Sequence, residues 1–194
     1  MKHYFHPRSR AATTDWMLKE LDAPHEQVLV ELGTEGTAAA EFRAINPMGK
    51  LPTLVDGDVV VTESAAICAY LADKFADRGL APPPGSPERG PYYRYLFFPG
   101  TTLEPLLSFN MLGAEADPVS MGWGDMERGM ATVEAMTPEQ GWAIGDRFTA
   151  ADVVFGGTLA FFSGFKMLEA SPKVEAYVSR IQARPQYQAT HQGF

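Results

Sequence analysis

Val28, Val30 and Leu32 recur with a period of two in QVLVEL, and this period predicts a strand over Gln27 to Leu32. HYF predicts a shorter strand over His3 to Phe5, and SRAATTDWMLKEL between them reads as a helix from Ser9 to Leu21. TAAAEFRAI, Thr37 to Ile45, has the Ala-rich composition of a helix. TLV and DVVV flank Asp56-Gly57, a hairpin signal because Gly accepts the positive φ that such turns need. SAAICAYLADKF then places Ile67, Tyr70, Leu71 and Phe75 along one helical face. The predicted order is β-α-β-α-β-β-α. Its strand-helix-strand start favours parallel pairing, and its closing hairpin is antiparallel.

That order is the layout of a thioredoxin-like domain, expected over residues 1–78. ADRGLAPPPGSPERGP breaks the periodicity with Pro82, Pro83 and Pro84 in a row, predicting a stiff linker over 79–86. Ser86-Pro87 is a helix start, with Ser as N-cap and Pro at the first helical position. Residues 87–194 read as an all-helical domain. Its helices are expected at Tyr92 to Leu112, Pro118 to Met136, Thr149 to Leu168 and Pro172 to Ala183. The fold class is therefore α/β plus all-α.

Composition narrows the function. The 194 residues are 45% hydrophobic and 21% charged, enough to bury an ordinary core. A net charge of −8 argues against a nucleic-acid partner, whose phosphates need Lys and Arg. No apolar run approaches the roughly 20 residues of a membrane span, and MKHYFHPRSR lacks the apolar core of a signal peptide. A single cysteine, Cys68, allows neither an internal disulfide nor a clustered-cysteine metal site. The expectation is a cytoplasmic protein without a metal.

Candidate chemistry sits in two short stretches. Leu51-Pro52 opens a predicted strand, where proline cannot donate a ladder hydrogen bond. It marks either an edge-strand start or a cis peptide that turns the Leu51 backbone toward a peptide-like ligand. Glu63-Ser64 precedes the AAICAYL helix. Ser64 is either a plain N-cap, or the pair clamps an amino acid, its carboxylate on the helix N-terminus and Ser64, its ammonium on Glu63.

Taken together, NPMGKLPTL, the Asp-Gly hairpin, TESAAICAYL, the proline linker and the helical second half resemble the glutathione S-transferase family. GDRFTAADVVFGG looks like that family's buried capping motif, with Thr149 capping a helix and Asp152 reaching back, and RPQYQAT resembles its bacterial members. The resemblance implies a cis Pro52 and a Leu51 backbone paired with the cysteinyl unit of glutathione. It further implies Glu63 and Ser64 on the γ-glutamyl end, and Lys50 near the glycine carboxylate. Glutathione would be the co-substrate, a small hydrophobic electrophile the second substrate, and the assembly a homodimer serving detoxification.

The family assists the glutathione thiol with a Tyr, Ser or Cys between its first strand and first helix. Here that stretch is YFHPRSRAATTDW, and Ser9 is the first candidate. Aligned without gaps to bacterial members with a catalytic Cys, that position falls on Arg10, whose permanent charge stabilises a thiolate electrostatically. Tyr4 reads as packing and His6 as a loop residue. Cys68 reads as a small buried hydrophobe. Tyr92, Tyr95, Phe98, Phe109 and Met111 are core or pocket wall, and core is the commoner fate of such a stripe. The leading reading is a glutathione transferase. The alternatives are a non-catalytic glutathione-binding or scaffold module of the same fold, or a glutathione-dependent isomerase or peroxidase.

Overall fold

The computed structural model describes residues 1–114 and 117–191. In the N-terminal unit, β1 (Lys2–Phe5), α1 (Ala11–Glu20), β2 (Glu26–Leu29), α2 (Ala40–Ile45), β3 (Thr53–Asp56), β4 (Val59–Thr62) and α3 (Ser64–Lys74) follow the predicted order. The sheet order is β2-β1-β3-β4, with β1 parallel to β2 and antiparallel to β3. β3 and β4 form the antiparallel hairpin. Its two-residue loop is Gly57-Asp58, one position later than expected, and Gly57 takes φ +60°.

Edge and centre differ as pairing requires. Leu54 of β3 is fully buried, whereas Leu29 on β2 and Val59 and Val60 on β4 are exposed. Every residue of α1 from Ala11 to Leu18 is buried, because the helix packs against β1, α3 and a late helix, α9 (Pro185–Thr190). The Trp16 ring meets Tyr187 of α9 edge-on at 5.0 Å. Thus α9 belongs with the N-terminal unit, although the sequence reading ran the helical domain through to 194. Local pattern cannot reveal which core a terminal helix joins.

The helical unit runs from Gly79 to Arg184. It holds α4 (Arg89–Phe98), α5 (Glu104–Met111), α6 (Met126–Met136), α7 (Ala150–Gly164) and α8 (Pro172–Gln182). A π-helical turn, Pro99–Leu103, joins α4 to α5. Pro99 lacks the N–H that would continue the regular ladder, so the helix expected over Tyr92 to Leu112 carries this bulge. The helix expected from Pro118 begins only at Met126. Gly124, at φ +70°, precedes the N-cap Asp125, whose side chain accepts from the Arg128 N–H. Ser86 does not cap α4, which starts at Arg89. Its hydroxyl accepts from Glu88 N–H at 3.2 Å within a turn.

The core of this unit gathers Tyr92, Leu96, Phe155, Leu159, Tyr177 and Ile181. A Cβ on Gly156 would come within 2.6 Å of Ile181 Cδ1, so glycine there permits the close approach of α7 and α8. At the start of α7, Thr149 and Asp152 form the expected capping box. Asp152 does more than cap. Its Oδ1 accepts from Ala143 N–H at 2.7 Å and from the Tyr177 hydroxyl at 2.8 Å, while Oδ2 accepts from Thr149 N–H at 2.9 Å. This buried carboxylate ties α7, α8 and the preceding loop together.

Candidate active site

Strand register brings the candidate residues to one rim of the sheet. Thr53 pairs with Tyr4 of β1 on one side and with Thr62 of β4 on the other. The exit of β1, the entry of β3 and the exit of β4 therefore share one end. Ser9 and Arg10 follow the first, Leu51 and Pro52 precede the second, and Glu63 and Ser64 follow the third.

The loop into β3 is held by a residue that sequence reasoning left unassigned. Asn46, 3% exposed, donates through Nδ2 to the Lys50 carbonyl at 2.8 Å and to Thr53 Oγ1 at 3.0 Å. Its Oδ1 accepts from Met48 N–H at 3.1 Å. Asn-Pro at the head of NPMGKLPTL was the available signal, since a buried Asn beside a turn is satisfied by backbone. Gly49 turns this loop at φ +59°, and a Cβ there would lie 2.5 Å from the Thr37 carbonyl oxygen. The Leu51-Pro52 peptide is cis, which resolves the alternative left open by the sequence. Among the described residues, the N–H and C=O of Leu51 have no hydrogen-bond partner. The Lys50 side chain is exposed.

At the head of α3 the N-cap is Glu63, not Ser64. Glu63 sits at φ +70°, ψ 126°, a backbone conformation that non-glycine residues rarely hold and that costs on the order of 1–3 kcal/mol. Ser64 is the first helical residue, and no side chain caps this helix. Among the described residues, the Ser64 hydroxyl, the Glu63 carboxylate and the N–H groups of Ser64, Ala65 and Ala66 make no hydrogen bond. A plain capping role for Ser64 is thereby removed. The helix start offers free donors and a strained, exposed carboxylate side by side, an arrangement suited to an amino acid's carboxylate and ammonium.

The turn from β1 into α1 is organised differently. The Ser9 hydroxyl donates to the His6 carbonyl at 2.7 Å and accepts from Ala11 N–H at 3.2 Å. Its hydrogen is directed at the His6 carbonyl, so in this structure Ser9 closes the turn. Arg10 is the N-cap of α1 and half-buried. Burial pushes the Cys68 thiol pKa up, and the positive charge of Arg10 opposes that push. His6 is a buried loop residue, its Nδ1 accepting from Arg8 N–H at 3.1 Å. Tyr4 packs on Phe42 with ring centroids 5.8 Å apart.

Of the aromatic stripe, Tyr92 is fully buried and Tyr95 and Phe98 pack on Phe155. Phe109 instead lines a cleft of about 340 Å³ with Leu106 and Trp123 in the helical unit, and Met111 is exposed.

Residues 1–73 match the family model for the glutathione S-transferase N-terminal domain, and residues 125–189 match that for the C-terminal domain. Glutathione S-transferase 3 of Zea mays is 31% identical over 90% of this chain and 85% of its own length. A glutathione transferase structure from Methylococcus capsulatus is 31% identical with a TM-score of 0.80, covering 98% of this chain and 97% of its own. A sphingomonad glutathione S-transferase complexed with glutathione is 27% identical with a TM-score of 0.78, covering 99% of this chain and 98% of its own. Two family domains in the expected order, and a full-length likeness of this degree, place the chain in the glutathione S-transferase family.

Proposed function

We propose that this protein is a glutathione transferase, with glutathione as co-substrate and a small hydrophobic electrophile as second substrate. The observation that carries the reading is the set of unspent polar groups at the head of α3. The γ-glutamyl carboxylate of glutathione is received by the Ser64 hydroxyl and the N–H groups of Ser64 to Ala66, and its ammonium by Glu63. The free backbone groups of Leu51, beside Pro52, pair with the cysteinyl unit, and Lys50 balances the glycine carboxylate. These contacts fix the tripeptide and leave its sulfur near the start of α1.

A thiol with a pKa near 8.5 is mostly protonated at pH 7. Lowering it by about two units requires roughly 2.7 kcal/mol of preferential thiolate stabilisation. Arg10 supplies this through its permanent charge, aided by the positive end of α1. Ser9 holds the turn that presents Arg10. The thiolate then attacks the electrophilic carbon, the carbon–sulfur bond forms as the leaving group departs, and the thiol proton goes to solvent. Orientation and electrostatics are the protein's contribution, and the nucleophile is glutathione's. A homodimer in the cytoplasm completes the reading; no described helix is long and apolar enough to cross a membrane.

One observation favours a second reading, a non-catalytic glutathione-binding module: the hydroxyl of Ser9 is committed to His6. An ultraviolet titration of the glutathione complex against pH separates the two. A bound thiol pKa well below 8.5 that rises in Arg10→Ala, and by less in Ser9→Ala, is the expected result. Binding without any thiolate absorbance would select the module.

A further inference from the structure

We infer that His3, Asp15 and His25 form a site for one divalent transition-metal ion of the zinc class, separate from the glutathione site. One ligating atom from each residue lies within 4.8 Å of those of the other two. His3 stands on β1, Asp15 on α1, and His25 directly before β2, which pairs in parallel with β1. An ion here would tie three consecutive elements together.

Hydrogen bonding sets both imidazoles in the ligating form. The Thr14 hydroxyl donates to the Ala11 carbonyl at 3.0 Å, so toward His3 it accepts. Nε2 of His3, 2.8 Å from that hydroxyl, therefore carries the hydrogen, and Nδ1 holds the lone pair. That Nδ1 is buried and has no hydrogen-bond partner. At His25 the situation is reversed. Nδ1 lies 2.8 Å from the Ala23 carbonyl, which can only accept, so the lone pair falls on Nε2. A backbone or hydroxyl partner on one ring nitrogen, leaving the other free, is how proteins orient metal-ligating histidines.

Asp15, 3% exposed, completes the set. Its Oδ1 accepts from Gln27 Nε2 at 3.0 Å, and its Oδ2 pairs with Lys19 Nζ at 2.9 Å. Each oxygen keeps a second lone-pair position. The Lys19 side chain is 34% exposed and can turn to solvent when a cation arrives. Two imidazoles and a carboxylate favour zinc-class ions over magnesium or calcium, with water in the fourth position. Bond lengths of about 2.0–2.2 Å require the donors to draw in to roughly 3.3 Å from one another. His25 is half-buried and gives the ion its entry. The alternative is a plain ion pair between Asp15 and Lys19, and it gives the buried Nδ1 of His3 nothing to do.

The test is a Co²⁺ titration of the full chain, free of added histidines and stripped of metal, followed by Zn²⁺ displacement. One equivalent with visible cobalt absorbance is expected, weakened more than about tenfold in His25→Gln and unchanged in His6→Gln. Should His25→Gln fail to fold, imidazole NMR of the native chain decides. Zn²⁺ must then move the His3 and His25 signals and leave those of His6 and His191 in place. Absence of stoichiometric binding, cobalt affinity retained in a folded His25→Gln, or shifts confined to His6 or His191 would overturn the site.

Discussion

The side-chain amide of Asn46 donates to the carbonyl oxygen of Lys50 at 2.8 Å and so sets the loop that delivers Leu51 to the rim of the sheet. Asn46→Ala strands Met48 N–H and takes the Asn46 amide from the Lys50 carbonyl and Thr53 Oγ1, which keep only their own 3.2 Å hydrogen bond to each other. Stability should drop by about 1–3 kcal/mol, and glutathione affinity should fall with it. Denaturant melts and calorimetric titration of the same sample measure both. Intact affinity would mean that the cis-proline loop holds its shape unaided.

Ser64→Ala separates binding from folding. Because the Ser64 hydroxyl caps nothing, the melting temperature should stay where it is. Glutathione should bind more weakly by about 1–3 kcal/mol, the worth of a hydrogen bond to a charged group. A lowered melting temperature at unchanged affinity would contradict the assignment.

Asp152→Ala should be among the most damaging single changes in the helical unit. It removes the partner of Ala143 N–H, Thr149 N–H and the Tyr177 hydroxyl at once. A cap alone is worth about 0.5–2 kcal/mol. With several buried donors abandoned, a loss of about 2–4 kcal/mol is expected by urea unfolding. A loss within the cap range would show that water replaces the carboxylate.

Cys68 should be inert in the folded protein. It is fully buried, and burial pushes its pKa up, so little thiolate exists at neutral pH. An aromatic disulfide reagent should label it only after denaturant is added. Rapid labelling of the native chain would require α3 to open locally.

Much of this protein is written locally. The Asp-Gly hairpin and the apolar face of AAICAYL specify their elements, because period and turn chemistry act within a few residues, whereas the period of Val28, Val30 and Leu32 overran its strand, which ends at Leu29. The capping box at Thr149 and Asp152 is equally local, and the motifs NPMGKLPTL and TESAAICAYL carry the family. Other features depend on partners far along the chain. Only β-register brings Tyr4, Thr53 and Thr62 abreast and thereby joins three loops into one rim. Whether Ser64 caps α3 depended on the backbone of Glu63, and whether Ser9 could donate to sulfur depended on where the His6 carbonyl points. The same holds for His3, Asp15 and His25, scattered over 23 positions of unremarkable sequence and brought together by α1 packing on a parallel strand pair. The sequence by itself determined the order of elements in the first unit, most of the helices that follow, and the family. Tertiary structure decided which polar groups are spent and which are free, because a hydrogen bond is a matter of position and direction that no local pattern encodes.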